Sequence, residues 1–173
     1  VMVGLEGRRD RTQFAAAYSS PDSGISMGPG PYTRPVCTGP VRYVGQVAIA
    51  ADIAHLKTAL AAAGIEEGFM TAIAPGSAAR LGNLHYKTDD EFLFACADAL
   101  REEYKAIVDA GLILQLDDPG IAENWDAIVP PPRLDAYKRF TMVRVEALNQ
   151  AIQGLPPERI RFHLCWGSWH GPH

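Results

Sequence analysis

The order of apolar segments predicts an α/β fold, a (β/α)8 (TIM) barrel of which residues 1–173 represent only part, about half of its strands. Three observations carry this. Near-continuous apolar strands alternate with amphipathic helices, the pattern of a parallel sheet covered by helices. Polar residues collect where strands end, the face at which α/β barrels do their chemistry. And 173 residues fall short of the roughly 200–250 that eight βα units require. The chain reads as one domain.

Residues 1–5 read as a short buried strand that ends at Glu6 and the charged turn Arg8, Arg9, Asp10, Arg11. Residues 21–40 hold five prolines and four glycines, an irregular loop long enough to suggest a functional role. Val41–Val44 predicts another strand. Asp52 is placed to cap a helix whose Ile53, Leu56, Leu60 and Ala63 share a face, and Gly64 stops it. Residues 68–74 form a strand broken by Pro75 and Gly76. Thr88 and Glu91 make a capping box for a helix with the stripe Phe92, Cys96, Leu100, Tyr104, Ile107, closed by Gly111. Residues 112–116 are a strand, apolar except for Gln115, ending in Asp117-Asp118-Pro119-Gly120. After Pro130–Pro132 comes a helix from Leu134 to Gln153, stopped by Gly154, Pro156 and Pro157. The last strand runs over 160–166.

Composition narrows the function. Sixteen Lys and Arg against twenty Asp and Glu leave a formal net charge of −4, which argues against nucleic acid as a partner, since phosphates demand a basic face. No apolar run approaches a membrane span, and Val1-Met2-Val3-Gly4 lacks the shape of a signal peptide. Three scattered cysteines, Cys37, Cys96 and Cys165, make no disulfide framework. A cytoplasmic location is expected.

Two segments carry chemistry. In a strand, residues i and i+2 project to one side, so His163 and Cys165 offer imidazole and thiolate together, both good ligands for Zn2+. A buried cysteine beside a hydrogen-bonded histidine explains the same tripeptide, and so would a local zinc knot that adds His170 and His173. Asp117 and Asp118 leave an apolar strand at its C-terminal end; adjacent side chains diverge, so one faces the barrel axis while the other supports a loop. A simple Asp-Asp-Pro-Gly turn is the plainer alternative. Glu6 follows an apolar strand in the same way, with a salt bridge to its arginine neighbours as the alternative. His55 reads as solvent-facing, His85 as a loop residue and Cys96 as core; Cys37 has no assigned role. Neither a phosphate-binding glycine loop nor a nucleophile elbow is present.

The Gln115-Leu-Asp117-Asp118-Pro119 segment, the His163-x-Cys165-Trp-Gly167 strand and the helix lengths between them resemble the cobalamin-independent methionine synthase superfamily. The likeness is greatest to single-barrel relatives of its C-terminal domain, which include epoxyalkane:coenzyme M transferases. It covers most of the chain, from about residue 36 to 170, with a weaker match at Glu6, Phe14 and Tyr18. The resemblance implies zinc-dependent transfer of a methyl or alkyl group to a thiol, the family's usual donor being a methylated folate. It implies His163 and Cys165 as metal ligands, with an acidic residue and a second cysteine beyond His173 completing the set. It implies Asp117, assisted by Glu6, as the group holding the amino-acid end of the thiol. Asp118 stands where methionine synthases usually have glutamate, which with Trp166-Gly167 puts homocysteine itself in question. A metal-free, decarboxylase-type barrel and a non-catalytic zinc-stabilised binding module are the rival readings. With two ligands and an unclosed barrel, the chain alone is expected to be inactive.

Overall fold

The computed structural model describes residues 12–20, 22, 35–127 and 130–165, without the side chains of residues 18, 126 and 127. The strand expected at 1–5, Glu6, most of the proline–glycine loop, Trp166, Gly167, His170 and His173 lie outside the described residues. The elements are α1 (Ala15–Ser19), β1 (Val36–Cys37), α2 (Gln46–Ala63), β2 (Phe69–Ile73), α3 (Pro75–Ala78), β3 (Gly82–Asn83), α4 (Asp89–Asp109), β4 (Ile113–Asp117), α5 (Gly120–Ala127), α6 (Leu134–Ile152), a 3-10 turn (Pro157–Arg159) and β5 (Ile160–His163).

All strand pairing is parallel. β2, β4 and β5 form a three-stranded sheet in that order, and β1 pairs with β3 in a separate two-residue ladder. The described residues thus show the helix-covered parallel sheet that the sequence predicts, as two partial sheets and not as a barrel. Each connection from β2 to β4 and from β4 to β5 carries a long helix, as parallel neighbours require.

Period-2 alternation sorts the side chains of the larger sheet onto two faces. Ala72, Leu114 and Leu116 point to the helices and are buried with Leu93, Ala97, Tyr104, Ile107, Ala147, Leu148 and Ala151. α4 packs on this face and α6 packs on α4. Burying one such leucine contributes about 1.5–3 kcal/mol. Tyr104 is wholly buried and its hydroxyl donates to the carbonyl of Ile73, so the aromatic ring fills the core while its polar tip ties α4 to the end of β2. Burial pushes the Tyr104 phenol far above its ordinary value.

The opposite face carries Phe69, Thr71 and Ile73 from β2, Ile113, Gln115 and Asp117 from β4, and Arg161 and His163 from β5. Phe69 and Ile73 are each 45% exposed, so no helix covers this side among the described residues.

Capping follows the sequence at α4. The Thr88 hydroxyl accepts the N–H of Glu91, and the Glu91 carboxylate accepts the N–H of Lys87. Gly64 ends α2 in the left-handed conformation (φ 66°), which an L side chain resists. Lys57 donates to the carbonyl of Ala110 at the end of α4, and Arg101 does so to Ala151 near the end of α6.

Three expectations are corrected. Val41–Val44 forms no strand; Val36–Cys37 does, because its partner, Gly82–Asn83, is distant in sequence. α2 starts at Gln46 behind Gly45, so Asp52 sits within the helix; a run of good helix formers from Gln46 on overrides the preference for a carboxylate cap. Residues 120–127, which the sequence leaves without an element, form a helix. The last strand ends at His163, three residues early.

Candidate functional site

The C-terminal ends of β2, β4 and β5 lie side by side, and the register decides what meets there. Asp117 pairs with Ile73 on one side and with His163 on the other. The Asp117 carbonyl accepts the N–H of Ala74 at 2.9 Å, and the His163 carbonyl accepts that of Asp118 at 3.1 Å. These bonds hold the ends of the three strands level.

Asp117 is the last residue of β4 and turns to the open face. Its Oδ1 lies 2.6 Å from Nδ1 of His163, with both side chains partly exposed. The same oxygen accepts from Nε2 of Gln115 at 3.2 Å. Among the described residues no hydrogen bond falls on Oδ2. A neutral ring that donates from Nδ1 to this carboxylate keeps its lone pair on Nε2.

Cys165 is half-buried and lies two residues past His163. Because β5 ends at His163, the pleat of the strand does not place Cys165 on the side of the imidazole. Among the described residues, no three His, Cys, Asp or Glu side chains gather into a group able to hold a metal. Tested on donor chemistry, His163 Nε2 and the Cys165 thiolate suit zinc but make only half of a tetrahedral set.

Asp118 diverges from Asp117, as adjacent strand residues must, and is almost wholly buried. Ser77 Oγ donates to its Oδ1, and Ser77 in turn accepts the N–H of Gly120. Burial holds the Asp118 carboxyl above the usual range, opposed by the Ser77 hydrogen bond and by the charges of Arg144 and Arg80. Arg144, itself buried, is pushed down to about 10 by desolvation, partly offset by Asp118. Asp118 Oδ2 and Arg144 Nε are buried without hydrogen-bond partners among the described residues. Asp118 is thus the supporting aspartate and Asp117 the outward one, the division expected from their adjacency.

His55 is exposed and Cys96 is buried, as read from their places in the sequence, and the loop residue His85 is exposed. Sequence reasoning gave no role to Gln115, Arg161 or Ser77. Gln115 interrupts an apolar strand two residues before Asp117, and Arg161 stands two before His163; that spacing was the available signal. Ser77 offered none.

An α/β protein with a parallel sheet and a carboxylate–imidazole pair at its strand ends is the class these residues define. No family model matches the chain. Over 93 residues it is 28% identical to 2-hydroxypropyl-CoM lyase from Xanthobacter autotrophicus, covering 51% of this chain and 20% of that protein. Over 88 residues it is 28% identical to the methionine synthases of Saccharolobus islandicus and Saccharolobus solfataricus, covering 50% of this chain and 22% of each. The match spans about a fifth of the length of these curated relatives. The solved structure of a B12-independent methionine synthase from Shewanella sp. W3-18-1, in complex with selenomethionine, aligns with a TM-score of 0.58 over 79% of this chain and 35% of that one, at 22% identity. The chain therefore shares its fold with that structure, and its homologues are enzymes, 2-hydroxypropyl-CoM lyase and methionine synthase. These relatives bear out the resemblance read from the sequence. No helix among the described residues is long and apolar enough to cross a membrane.

Proposed function

We propose that this chain is the zinc-binding part of a (β/α)8-barrel enzyme that transfers a methyl or alkyl group to a small-molecule thiol. A homocysteine-like acceptor and a 5-methyltetrahydropteroyl donor are the pair that the resemblance read from the sequence implies. The observation that carries the reading is the register of β4 on β5, which sets Asp117 against His163 at the strand ends with Cys165 two residues on.

His163 Nε2 and the Cys165 sulfur would hold the zinc ion, and the remaining ligands belong to residues other than those described. When bound, zinc stabilises a thiolate against a thiol whose ordinary pKa is about 8.5. Asp117 serves two partners: Oδ1 orients the imidazole, and Oδ2 is free among the described residues to receive a substrate ammonium. That contact fixes the thiol's position, a contribution separate from its ionisation. Glu6 would assist Asp117.

Equilibrium dialysis of the intact full-length protein against Zn2+ tests the assignment. His163→Ala and Cys165→Ser should each abolish tight uptake. Uptake unchanged in both variants overturns it, and loss on replacing His170 and His173 as well would identify a local zinc module. A protein that takes up no zinc at all points to the metal-free barrel.

A further inference from the structure

We infer that Gln115 and Arg161, to which no role attaches so far, are positioning residues that decide which nitrogen of His163 is offered at the site. They form the rung of the β4–β5 ladder directly before Asp117 and His163: Gln115 pairs with Arg161 as Asp117 pairs with His163. Period-2 alternation sets all four on the open face. There they make one continuous chain of hydrogen bonds. Arg161 Nε donates to Gln115 Oε1 at 2.7 Å, Gln115 Nε2 donates to Asp117 Oδ1 at 3.2 Å, and that oxygen meets His163 Nδ1 at 2.6 Å. The guanidinium itself lies 3.5 Å over the ring of Phe69, on the neighbouring strand β2.

The direction of this chain is fixed at one end. A side-chain amide can present either its oxygen or its NH2 in a given direction, and a lone glutamine would sample both. Arg161 removes the choice, because arginine only donates. With the amide flipped, Nε2 would face the Arg161 N–H, donor against donor, and Oε1 would face the Asp117 carboxylate, acceptor against acceptor. Both contacts would be repulsive. In the orientation observed both are bonds, and the N–H delivered to Asp117 Oδ1 holds the carboxylate against the imidazole. The carboxylate accepts from Nδ1–H and so keeps the lone pair on Nε2. A permanently charged group on one rung therefore sets the tautomer of a histidine on the next, through two intervening side chains.

The purpose of this device rests on the zinc reading above, but the tautomer can be measured without metal. The 15N-labelled full chain, in mildly alkaline buffer, is followed by long-range 1H–15N correlation of the imidazoles, with His163→Ala to assign the resonance. The unaltered protein should show His163 as the single Nδ1–H form. Gln115→Leu and Arg161→Met should each convert it to a tautomer mixture, and Arg161→Lys, which keeps a donor, should restore much of the original form. Folding is checked by circular dichroism; should Gln115→Leu unfold, Arg161→Met, at an exposed position, carries the test. In parallel, Zn2+ alone should bind the two damaged variants about tenfold more weakly, the low end for loss of an outer-shell partner. An identical His163 tautomer in the unaltered chain and both variants overturns the inference. Tautomer response without zinc uptake sinks the zinc reading alone; zinc uptake without tautomer response sinks this one alone.

Discussion

The hydroxyl of Ser77 donates a 2.7 Å hydrogen bond to Oδ1 of Asp118 and accepts the backbone N–H of Gly120 at 2.9 Å. One oxygen thus joins α3, the end of β4 and the start of α5. It does so under the residues that line the strand ends, where Asp118 is shielded from water. Removing it strands a buried carboxylate oxygen and a backbone donor together.

Ser77→Ala is therefore expected to destabilise the protein by about 1–3 kcal/mol, the cost of leaving buried polar groups unsatisfied. Urea unfolding checks this, with an unchanged m-value showing that the unfolded state is unaffected. A loss below a few tenths of a kcal/mol would mean that water replaces the hydroxyl.

Gly120 makes the second prediction. A Cβ built there would sit 2.9 Å from Ser77 Oγ, closer than packed atoms tolerate, and 3.3 Å from Arg80 Cδ. Gly120→Ala should lower the thermal midpoint even though alanine favours a helix. Combined with Ser77→Ala, which removes the nearest atom, it should cost less than the two single changes added together.

Asp118 gives a pH dependence. Its folded carboxyl titrates above the ordinary 3.8, chiefly through desolvation. Between the unfolded and folded values the native state holds the extra proton, so stability falls as pH rises through that window. Asp118→Asn has no proton to lose. The stability of the unaltered protein relative to this variant should therefore decline from about pH 4 upward. A difference that grows with pH would reverse the assignment.

At α4, Thr88→Ala should cost about 1 kcal/mol through loss of the N-cap bond to Glu91. Glu91→Gln should cost less, since an amide oxygen can still accept the Lys87 N–H. Equal losses would show that the charge, and not the hydrogen bond, stabilises the first turn.

Where punctuation is local, the sequence is readable. Thr88 and Glu91 announce the start of α4, Gly64 announces the end of α2, and the runs at 68–74 and 112–116 announce strands. What escaped depended on partners remote in the chain. Val36–Cys37 is a strand only because Gly82–Asn83 lies alongside, and nothing in either segment points to the other. At the site, the types and spacing of Asp117 and His163 were legible, but their 2.6 Å approach depends on a register that only the folded sheet defines. The opposite error concerns Cys165: a strand assumed to continue to 166 stops at His163, two residues short of the cysteine, because no β-partner reaches beyond His163 among the described residues.

The alternation of Leu114, Gln115, Leu116 and Asp117 has a final consequence. If β4 slipped by a single residue, the two leucines would surface and the amide and carboxylate would be driven among the helices. The leucines that are 0% and 1% exposed thus act as proofreaders for chemistry they never touch. Loosening either of them would first blur the aim of Asp117, long before the molecule came apart.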